Sequence, residues 1–405
     1  MLVVFVAPFF SENAKLFLER TCEVPGARVA VVTQDAPEHM GHPLRARVVE
    51  TVRVEDAFRT ADIVAAAKDL AARQGAIHRL IGVMEQVQLQ VAEARAELGI
   101  QGMNVEQARR FRDKTLMKDC LRDAGLPVAR HRLVNNTQDA LGFAGEVGYP
   151  IIVKPPAGAA SQTTYRVHDD AELRAALGPT SVAAGGVVLL EELLTGSEHS
   201  FEAFMLGGEM LGYSTSDYHP SCLDVMQNAW IQWVVVLPRD YLAEDIASIG
   251  ARALRVLGLE TGMCHLEWFR RPDGSVVISE VGARPPGAQI PTMISRAHDI
   301  DCIGSWARLM VLGEMAPLPP RRYAVGTAYL RGQGEGRVRA VHGMDAIYRK
   351  YGHLITDVRL PKEGQEKAKS YEGEGFVMLR HPETAVVRDA LTDVISTVRV
   401  ELGGG

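Results

Sequence analysis

The chain has few cysteines, and their spacing excludes two common uses of that residue. The 405 residues include five cysteines, at Cys22, Cys120, Cys222, Cys264 and Cys302. Because none of them form a CxxC pair, the sequence indicates neither a zinc clasp nor a dithiol redox motif. We interpret them as scattered, reduced thiols, which are expected in a cytoplasmic protein.

Excess positive charge and long apolar runs are also lacking. The net charge of −6 argues against a nucleic-acid partner held by a general positive field. No apolar run approaches the ~18 residues that cross a bilayer. Residues 1–10 are apolar, but they have no basic flank and Ser11, Glu12 and Asn13 end the run, so a buried strand is predicted there rather than a signal peptide. The sequence therefore predicts a cytoplasmic protein that binds neither membrane nor nucleic acid.

Two familiar nucleotide-binding motifs are missing as well. No GxxxxGK[ST] stretch occurs, which excludes a P-loop. No GxGxxG follows the first strand, so the N-terminal part is not predicted to bind a dinucleotide. Residues 332–336 (GQGEG) look like a nucleotide loop, but no strong helix follows them, and a turn between strands is the better interpretation.

The apolar pattern predicts a mixed α/β and α+β protein in three parts. Residues 1–107 are predicted to alternate strands with helices around a parallel sheet. Residues 108–315 mix the two without strict alternation and are predicted to form an α+β core, with a mobile lid subdomain at about 128–190. One continuous helix is expected from Asn104 to Ala124. The proline-rich residues 316–321 are expected to link this core to a small α+β domain over 316–405.

An acidic hairpin is the first candidate site. Residues 262–269 and 275–281 read as strands joined by the turn Pro272-Asp273-Gly274. The register of such a hairpin could bring Glu267 and Glu280 together. Paired carboxylates are costly unless a cation lies between them, and hard oxygen ligands suit Mg²⁺. The alternative is a pair of ordinary solvent-exposed strand glutamates.

Two lysines are the next candidates. Lys154 ends the apolar strand 151–154 and precedes a loop of small and hydroxyl residues, 157–164. A lysine at such a junction can hold phosphate oxygens, with loop N–H groups completing the cradle. Lys114 lies in the basic helical stretch 109–118. Taken singly, each also fits an ordinary surface lysine.

A third candidate segment follows another apolar strand. Glu191 and Glu192 come directly after residues 187–190 and precede a short linker. Backbone groups exposed where a strand leaves a core can read an adenine edge. The alternative is an acidic turn between strands.

The order of these segments resembles the ATP-grasp superfamily. The resemblance is carried by Arg112-Asp113-Lys114, by YPIIVK at 149–154, by the EEL segment at 191–193 and by EVGAR at 280–284, and it spans roughly residues 1–400. Within this superfamily the sequence most resembles carboxylate–amine ligases, including the L-amino-acid ligases, and biotin carboxylase shares the three-part layout. It implies a ligase that joins a small carboxylate to an amine through an acyl phosphate and releases ADP and phosphate.

The resemblance also implies roles for individual residues. It places Lys114, Lys154, Gly158 and Ser161 on the phosphates of ATP. It places Glu191, with the backbone of Glu192 and Leu194, on adenine and Glu198 on ribose. It places Glu267 and Glu280 on Mg²⁺, and Arg284 with Lys154 at the transferred phosphate. Mn²⁺ is an alternative metal. A homodimer is one arrangement that the resemblance allows. Carboxylation, simple acyl phosphorylation and a catalytically idle ATP-binding protein are the open alternatives.

The sequence departs from the family pattern at three points. The loop after Lys154 has the single glycine Gly158. Gly282 replaces the asparagine that often supplies a further metal ligand, so water is expected to fill that position and the second Mg²⁺ to bind weakly. Ala288 stands where biotin carboxylase has a glutamate that acts as a base, and no Met-Lys-Met biotinylation site occurs. Both differences weaken the carboxylation alternative.

Overall fold

The N-terminal part of the chain is an α/β unit. The computed structural model describes residues 1–156, 164–178, 186–228, 231–240 and 244–403. The unit contains β1 (Leu2–Val6), α1 (Glu12–Cys22), β2 (Arg28–Thr33), α2 (His42–Arg45), β3 (Glu50–Arg53), α3 (Thr60–Gln74), β4 (Ile77–Gly82) and α4 (Gln88–Leu98). The strands form a parallel sheet in the order β3-β2-β1-β4. The predicted parallel sheet is confirmed, and β3 is an addition, because its half-buried ETVR sequence lacks the apolar run of the others.

The predicted continuous helix over residues 104–124 is wrong. Two helices occupy this stretch, α5 (Val105–Arg112) and α6 (Lys114–Asp123). Asp113 between them has an extended backbone, and its carboxylate accepts hydrogen bonds from the N–H groups of Thr115 and Leu116. Aspartate is a favoured N-cap residue, so it starts a new helix rather than continuing the old one. The break places Lys114 at the very start of α6.

A small antiparallel sheet follows. Its elements are β5 (His131–Val134), α7 (Thr137–Val147), β6 (Ile151–Lys154), β7 (Tyr165–Val167), α8 (Asp170–Leu177) and β8 (Val188–Glu192). The strands lie in the order β5-β8-β6-β7. Helices α7 and α8 cover one face of this sheet with apolar side chains such as Phe143 and Leu173. The Asn136 side chain caps α7 by accepting a hydrogen bond from the Asp139 N–H.

One large sheet runs through the rest of the chain. The remaining elements are β9 (Ser197–Leu206), β10 (Glu209–His219), α9 (Cys222–Gln227), β11 (Trp233–Leu237), α10 (Glu244–Leu257), β12 (Gly262–Met263), β13 (His265–Arg270), β14 (Val276–Gly282), α11 (Ile290–His298), α12 (Cys302–Leu312), β15 (Ala324–Leu330), β16 (Arg337–His342), α13 (Met344–Tyr351), β17 (Ile355–Arg359), β18 (Gly375–His381), α14 (Thr384–Thr397) and β19 (Arg399–Gly403). The sheet order is β14-β13-β9-β10-β11-β15-β18-β17, with β12 also paired to β9. Strands after residue 323 thus extend the central sheet, while β16 and β19 pair separately.

The mixed α/β and α+β class predicted from the sequence is confirmed, whereas the division into three domains stays a prediction. Residues 332–336 lie between β15 and β16, as expected for a turn between strands. All five cysteines are free thiols, three buried and two half-buried. In the part of the chain that the structure describes, no helix is both long and apolar enough to span a bilayer.

The N-terminal sheet is packed on both faces, which joins it to the rest of the molecule. Val3 and Phe5 of β1 belong to the same buried cluster as Trp306 of α12. Val4 and Val6 point to the other face and pack in the cluster of α3 and α4. This two-sided burial explains the uninterrupted apolar run at the start of the sequence. It also sets the carboxyl ends of β1 and β4 beside the central sheet.

Candidate active site

The acidic hairpin predicted from the sequence is confirmed, with Glu267 and Glu280 as cross-strand partners. Strands β13 and β14 pair antiparallel, with Glu267 opposite Glu280 and His265 opposite Gly282. A bulge follows Glu267. Directly opposed residues point to the same face of a sheet. Two carboxylates therefore lie side by side, each about a quarter exposed, at 29% and 27%.

Lysines from a separate part of the chain face this pair. The ammonium group of Lys114 forms an ion pair with Glu280. Burial alone would raise the pKa of Glu280, but Lys114 and Lys154 outweigh it and lower the pKa to about 2. The carboxylate therefore stays ionised because the lysines are present. The helix break at Asp113 is what brings Lys114 to this point.

Lys154 and Glu191 form the second ion pair of the site. They lie on neighbouring strands β6 and β8, and Nζ of Lys154 is 2.9 Å from the Glu191 carboxylate. Burial would raise the pKa of Glu191, but Lys118 and Lys154 lower it. Glu191 is thus placed among lysines, which is a contact that its expected adenine role did not anticipate.

Lys118 completes the cluster and was not predicted. Its side chain is 1% exposed, and Nζ lies 3.3 Å from Glu191 and donates to the carbonyl of Ser279. Burial lowers the pKa of this lysine, partly opposed by Glu191. The available signal was its position one helical turn after Lys114, since residues i and i+4 share a helix face.

The segment after β8 is held by other contacts. The Glu192 carboxylate pairs with Arg130 and with Arg271, each at 2.9 Å. The Glu192 N–H donates to the carbonyl of Arg130 at 2.9 Å, so this N–H already has a partner. Leu194 follows in a half-buried stretch. Gly158 and Ser161 lie outside the described residues.

Glu198 lies on the other side of the hairpin. It is buried and accepts a hydrogen bond of 2.7 Å from the N–H of Cys222, at the start of α9. Burial, followed by the nearby charge of Glu267, raises the pKa of Glu198 to about 8. Burial therefore favours the protonated form of this carboxyl group.

Arg284 makes its main contact with Glu85, a residue that the sequence analysis missed. Nε of Arg284 lies 2.7 Å from one oxygen of Glu85, and Arg112 lies 2.7 Å from the other. Burial would lower the pKa of Arg284, but Glu85 raises it. Glu85 follows strand β4, and the carboxyl end of a parallel strand is a common place for ligand-binding residues. That position is the signal which could have identified it.

Gly282 lies next to the Glu85 carboxylate. A Cβ atom at this position would lie 3.1 Å from Oε2 of Glu85 and 3.7 Å from the Arg284 side chain. A side chain at this position would therefore meet the Glu85 carboxylate, and the expectation of a water ligand and a weakly bound second Mg²⁺ stays a prediction. Glycine makes room for the Glu85–Arg284 pair.

His265 links the hairpin to the buried acid beside it. Its Nδ1 lies 2.8 Å from Glu202, and its Nε2 lies 3.4 Å from Glu267. Burial disfavours the charged ring, yet the hydrogen bonds to these two carboxylates raise the pKa of His265 to about 9. A cavity of about 60 Å³ is bounded by His265, Glu267, Glu280, Arg284 and Glu85, among others.

The donor set suits a hard divalent cation. Glu267 and Glu280 offer neighbouring carboxylate oxygens, and Mg²⁺ is usually held by one or two carboxylates together with water and phosphate oxygens. Among the described residues, no group of three or more His, Cys, Asp and Glu side chains forms a complete protein-only metal site. The residues present therefore fit a metal that is shared with a phosphate ligand.

Known proteins resemble this chain in both sequence and fold. Residues 112–229 match the phosphoribosylglycinamide synthetase ATP-grasp (A) domain. The fold resembles that of an L-amino acid ligase from Bacillus licheniformis, with a TM-score of 0.80 and 17% identity over 100% of this chain and 99% of that one. The sequence match thus indicates an ATP-grasp domain over residues 112–229, and the fold of the whole chain resembles that of the ligase.

Similarity in sequence points to the ligases within that class. The L-arginine-specific L-amino acid ligase of Bacillus subtilis is 27% identical over 233 residues, which is 56% of each chain. An uncharacterized protein of Sinorhizobium fredii is 26% identical over 326 residues, 78% of this chain and 62% of its own length. The chain thus spans about three fifths of the length of these curated relatives, and it resembles carboxylate–amine ligases.

We predict that Lys118→Met destabilises the protein. The change removes one of the two lysines that neutralise buried Glu191, so the free energy of unfolding should fall by roughly 2–3 kcal/mol, somewhat less than for a fully broken buried pair. Chemical denaturation measures this change. Lys68→Met is the matched control, because its pair with Glu97 is exposed and should contribute no more than about 1 kcal/mol. Equal effects of the two substitutions would contradict the assignment.

Proposed function

We propose that the chain is an ATP-dependent ligase that joins a small carboxylate to an amine and releases ADP and phosphate. The observation that carries the proposal is the convergence of Lys114, Lys118 and Lys154 on the carboxylates of Glu191 and Glu280. Lysine side chains that face carboxylates in this way can instead pair with the phosphates of a triphosphate. The ATP-grasp fold and the ligase relatives support the same activity, and a cytoplasmic location belongs to the proposal.

ATP binding would work as an exchange of charge partners. Lys114 and Lys154 would turn from their carboxylates to the phosphates, with Gly158 and Ser161 of the following loop contributing to phosphate binding. Glu267 and Glu280 would hold Mg²⁺, which supplies charge neutralisation for the phosphates when bound. Mn²⁺ is the alternative metal. Each lysine exchanges one anionic partner for another, so none is left buried and uncompensated.

The remaining assignments describe the nucleoside. Glu191, the backbone of Glu192 and Leu194, all at the end of β8 or just beyond it, are proposed to bind adenine. The Glu192 carbonyl is the backbone group proposed to contact adenine, because the Glu192 N–H already donates to the carbonyl of Arg130. Glu198 is proposed to bind ribose, and its protonated carboxyl could donate a hydrogen bond to a hydroxyl.

The reaction is proposed to proceed in two transfers. A carboxylate oxygen of the substrate attacks the γ-phosphorus, the bond to the β-phosphate oxygen breaks, and ADP leaves. The amine then attacks the acyl carbon, the bond to the phosphate oxygen breaks, and the amine loses a proton as the amide forms. Arg284 and Lys154 would stabilise the charge on the transferred group, which is chiefly electrostatic work.

We predict that turnover releases ADP and orthophosphate, and that the release depends on both a carboxylate and an amine. An array of carboxylates against amines, read by ADP formation and product mass, measures this. ADP release with the carboxylate alone would instead favour acyl phosphorylation, and dependence on bicarbonate would favour carboxylation. Formation of AMP and pyrophosphate would contradict the proposal, as would a folded protein that binds ATP without any turnover.

We predict that Lys154→Ala and Arg284→Ala each lower kcat/KM by about 10²-fold or more, since charge stabilisation of the transferred phosphate is lost. Steady-state kinetics measure the effect, and circular dichroism checks that each variant is folded. Lys15→Ala is the matched control, because Lys15 is half-buried on α1 and its ion pair is with Glu12 rather than with a residue of the site. A folded variant at Lys154 or Arg284 with a normal rate would show that its assigned role is wrong.

We predict that Gly282→Ala lowers kcat/KM by roughly tenfold, about 1.4 kcal/mol of transition-state stabilisation. The added methyl group would lie 3.1 Å from Glu85, so it should displace the carboxylate that orients Arg284. Gly142→Ala in α7 is the matched control, because a Cβ there meets nothing within 4 Å. Normal kinetics for Gly282→Ala would show that the Glu85–Arg284 pair does not matter for turnover.

A further inference from the structure

A second cavity, much larger than the one at the hairpin, lies at the junction of the N-terminal sheet with the rest of the chain. Its volume is about 470 Å³, which is within the range of pockets that hold small organic molecules. Strand β4 and helix α4 form one wall, and helix α12 with residues 259–263 forms the other. Arg284 lines both this cavity and the smaller one.

One buried arginine lines this cavity and has no partner for its charge among the residues that the structure describes. Arg95 of α4 is 6% exposed, and within the described ranges its guanidinium forms no ion pair or hydrogen bond, with Nε buried and unsatisfied. Burial lowers the pKa of Arg95 to about 10, and no neighbouring acid offsets that effect. A buried cation with no counter-charge costs several kcal/mol, so Arg95 calls for an anion that the described part of the chain does not provide.

The other arginines of the cavity differ in this respect. Arg79 donates to the carbonyls of Met310 and His78, and Arg284 pairs with Glu85. Glu260, an acid in the cavity lining, is exposed and contacts Gln107 at 3.5 Å. Arg95 is therefore the cation that remains for a ligand.

The backbone beside Arg95 is shaped around its side chain. Gly102 has a φ of +149°, and a Cβ there would lie 2.5 Å from Nη1 of Arg95. Any other residue at this position would collide with the guanidinium. The carbonyl of Arg95 accepts the Ile100 N–H at 2.9 Å, which fixes the end of α4 from which the side chain extends.

The rest of the lining combines polar side chains, such as Gln88, Gln101 and Gln107, with an apolar part. Trp306, Leu309, Met263 and Leu259 are each nearly fully buried and all contribute to the cavity wall. An inorganic anion at Arg95 would leave this apolar surface without a contact. The lining instead suits a molecule with one anionic end and an apolar body.

We propose that this cavity is a binding site for a small organic acid, whose carboxylate pairs with Arg95 and whose apolar body packs against Trp306 and its neighbours. Among the lining residues that the structure describes, Arg284 is the one shared with the smaller cavity at the hairpin. The proposal does not rest on the ligase reaction, because binding is measured without ATP or metal.

The test uses 3-phenylpropionate as the probe, followed by calorimetry and thermal unfolding. We expect it to bind the wild-type protein and raise its Tm, while 3-phenylpropanol, which lacks the carboxylate, binds at least tenfold more weakly. Orthophosphate, which lacks the apolar body, should not bind at this site. Equal binding of the acid and the alcohol, or of the acid and orthophosphate, would overturn the proposal, as would no binding of the acid.

Two substitutions separate a ligand-binding arginine from a structural one. Arg95→Met should weaken 3-phenylpropionate binding at least tenfold, while the Tm without added acid stays the same or rises, because an uncompensated buried charge is removed. Met310→Trp, which should fill the cavity and leaves Arg95 in place, should also weaken binding. Arg73→Met, remote from the cavity and paired with Glu50 and Asp69, is the matched control. A lower Tm for Arg95→Met with unchanged binding in both cavity variants would make Arg95 structural and refute the site.

A crystal soaked with 3-(4-bromophenyl)propionate locates the ligand directly. Anomalous scattering should place the bromine beside Trp306, with the carboxylate at Arg95. A bromine found only at the hairpin cavity, among Glu267, Glu280 and His265, would assign the acid to the proposed active site and overturn the second site.

Discussion

Mutual neutralisation of buried charge is the constraint on which the site depends. Lys114, Lys118 and Lys154 face Glu191 and Glu280. Burial opposes the charged forms of the two glutamates and of Lys118 and Lys154. A buried ion costs several kcal/mol unless an opposite charge is close. Removing one member therefore affects all the others, which couples the site's electrostatics to the stability of the fold.

The fold meets this constraint by bringing together charges from three separate elements. The Asp113 cap restarts the helix so that Lys114 and Lys118 lie on one face of α6. The end of β6 supplies Lys154, paired across the small sheet with Glu191 on β8. The β13–β14 hairpin supplies Glu267 and Glu280. Arg284 follows that hairpin and is positioned by Glu85 from the N-terminal sheet, so residues from all parts of the chain meet at one place.

Residues in regular local patterns could be predicted from the sequence. Alternation along a strand and turn chemistry were enough to find the hairpin and to suggest that Glu267 lies beside Glu280. Alternating strands and helices were enough for the parallel N-terminal sheet. The break at Asp113 was missed, because the apolar periodicity continues through it and only the capping preference of aspartate marks it. The proximity of Gly282 to Glu85 was also missed, since the two residues are almost 200 positions apart in the chain.

Contacts between distant segments account for the other omissions. Lys118 looks like one more charge on a basic helix until the Glu191 strand is placed beside it. Glu85 looks like a helix-start glutamate until Arg112 and Arg284 meet it. Both are buried by tertiary packing, which local sequence does not encode. The identity of the charge partners thus depends on the assembled fold, whereas the residue types that form the site can be recognised beforehand.

The exchange of lysine partners between carboxylate and phosphate is tested most directly by the affinity of Glu280→Gln for a non-hydrolysable ATP analogue, measured by calorimetry with and without Mg²⁺. Without Mg²⁺ the variant should bind the analogue more tightly than the wild-type protein, because Lys114 no longer has to leave a carboxylate. With Mg²⁺ it should bind more weakly, because a metal ligand is lost. Weaker or unchanged binding without Mg²⁺ would contradict the account.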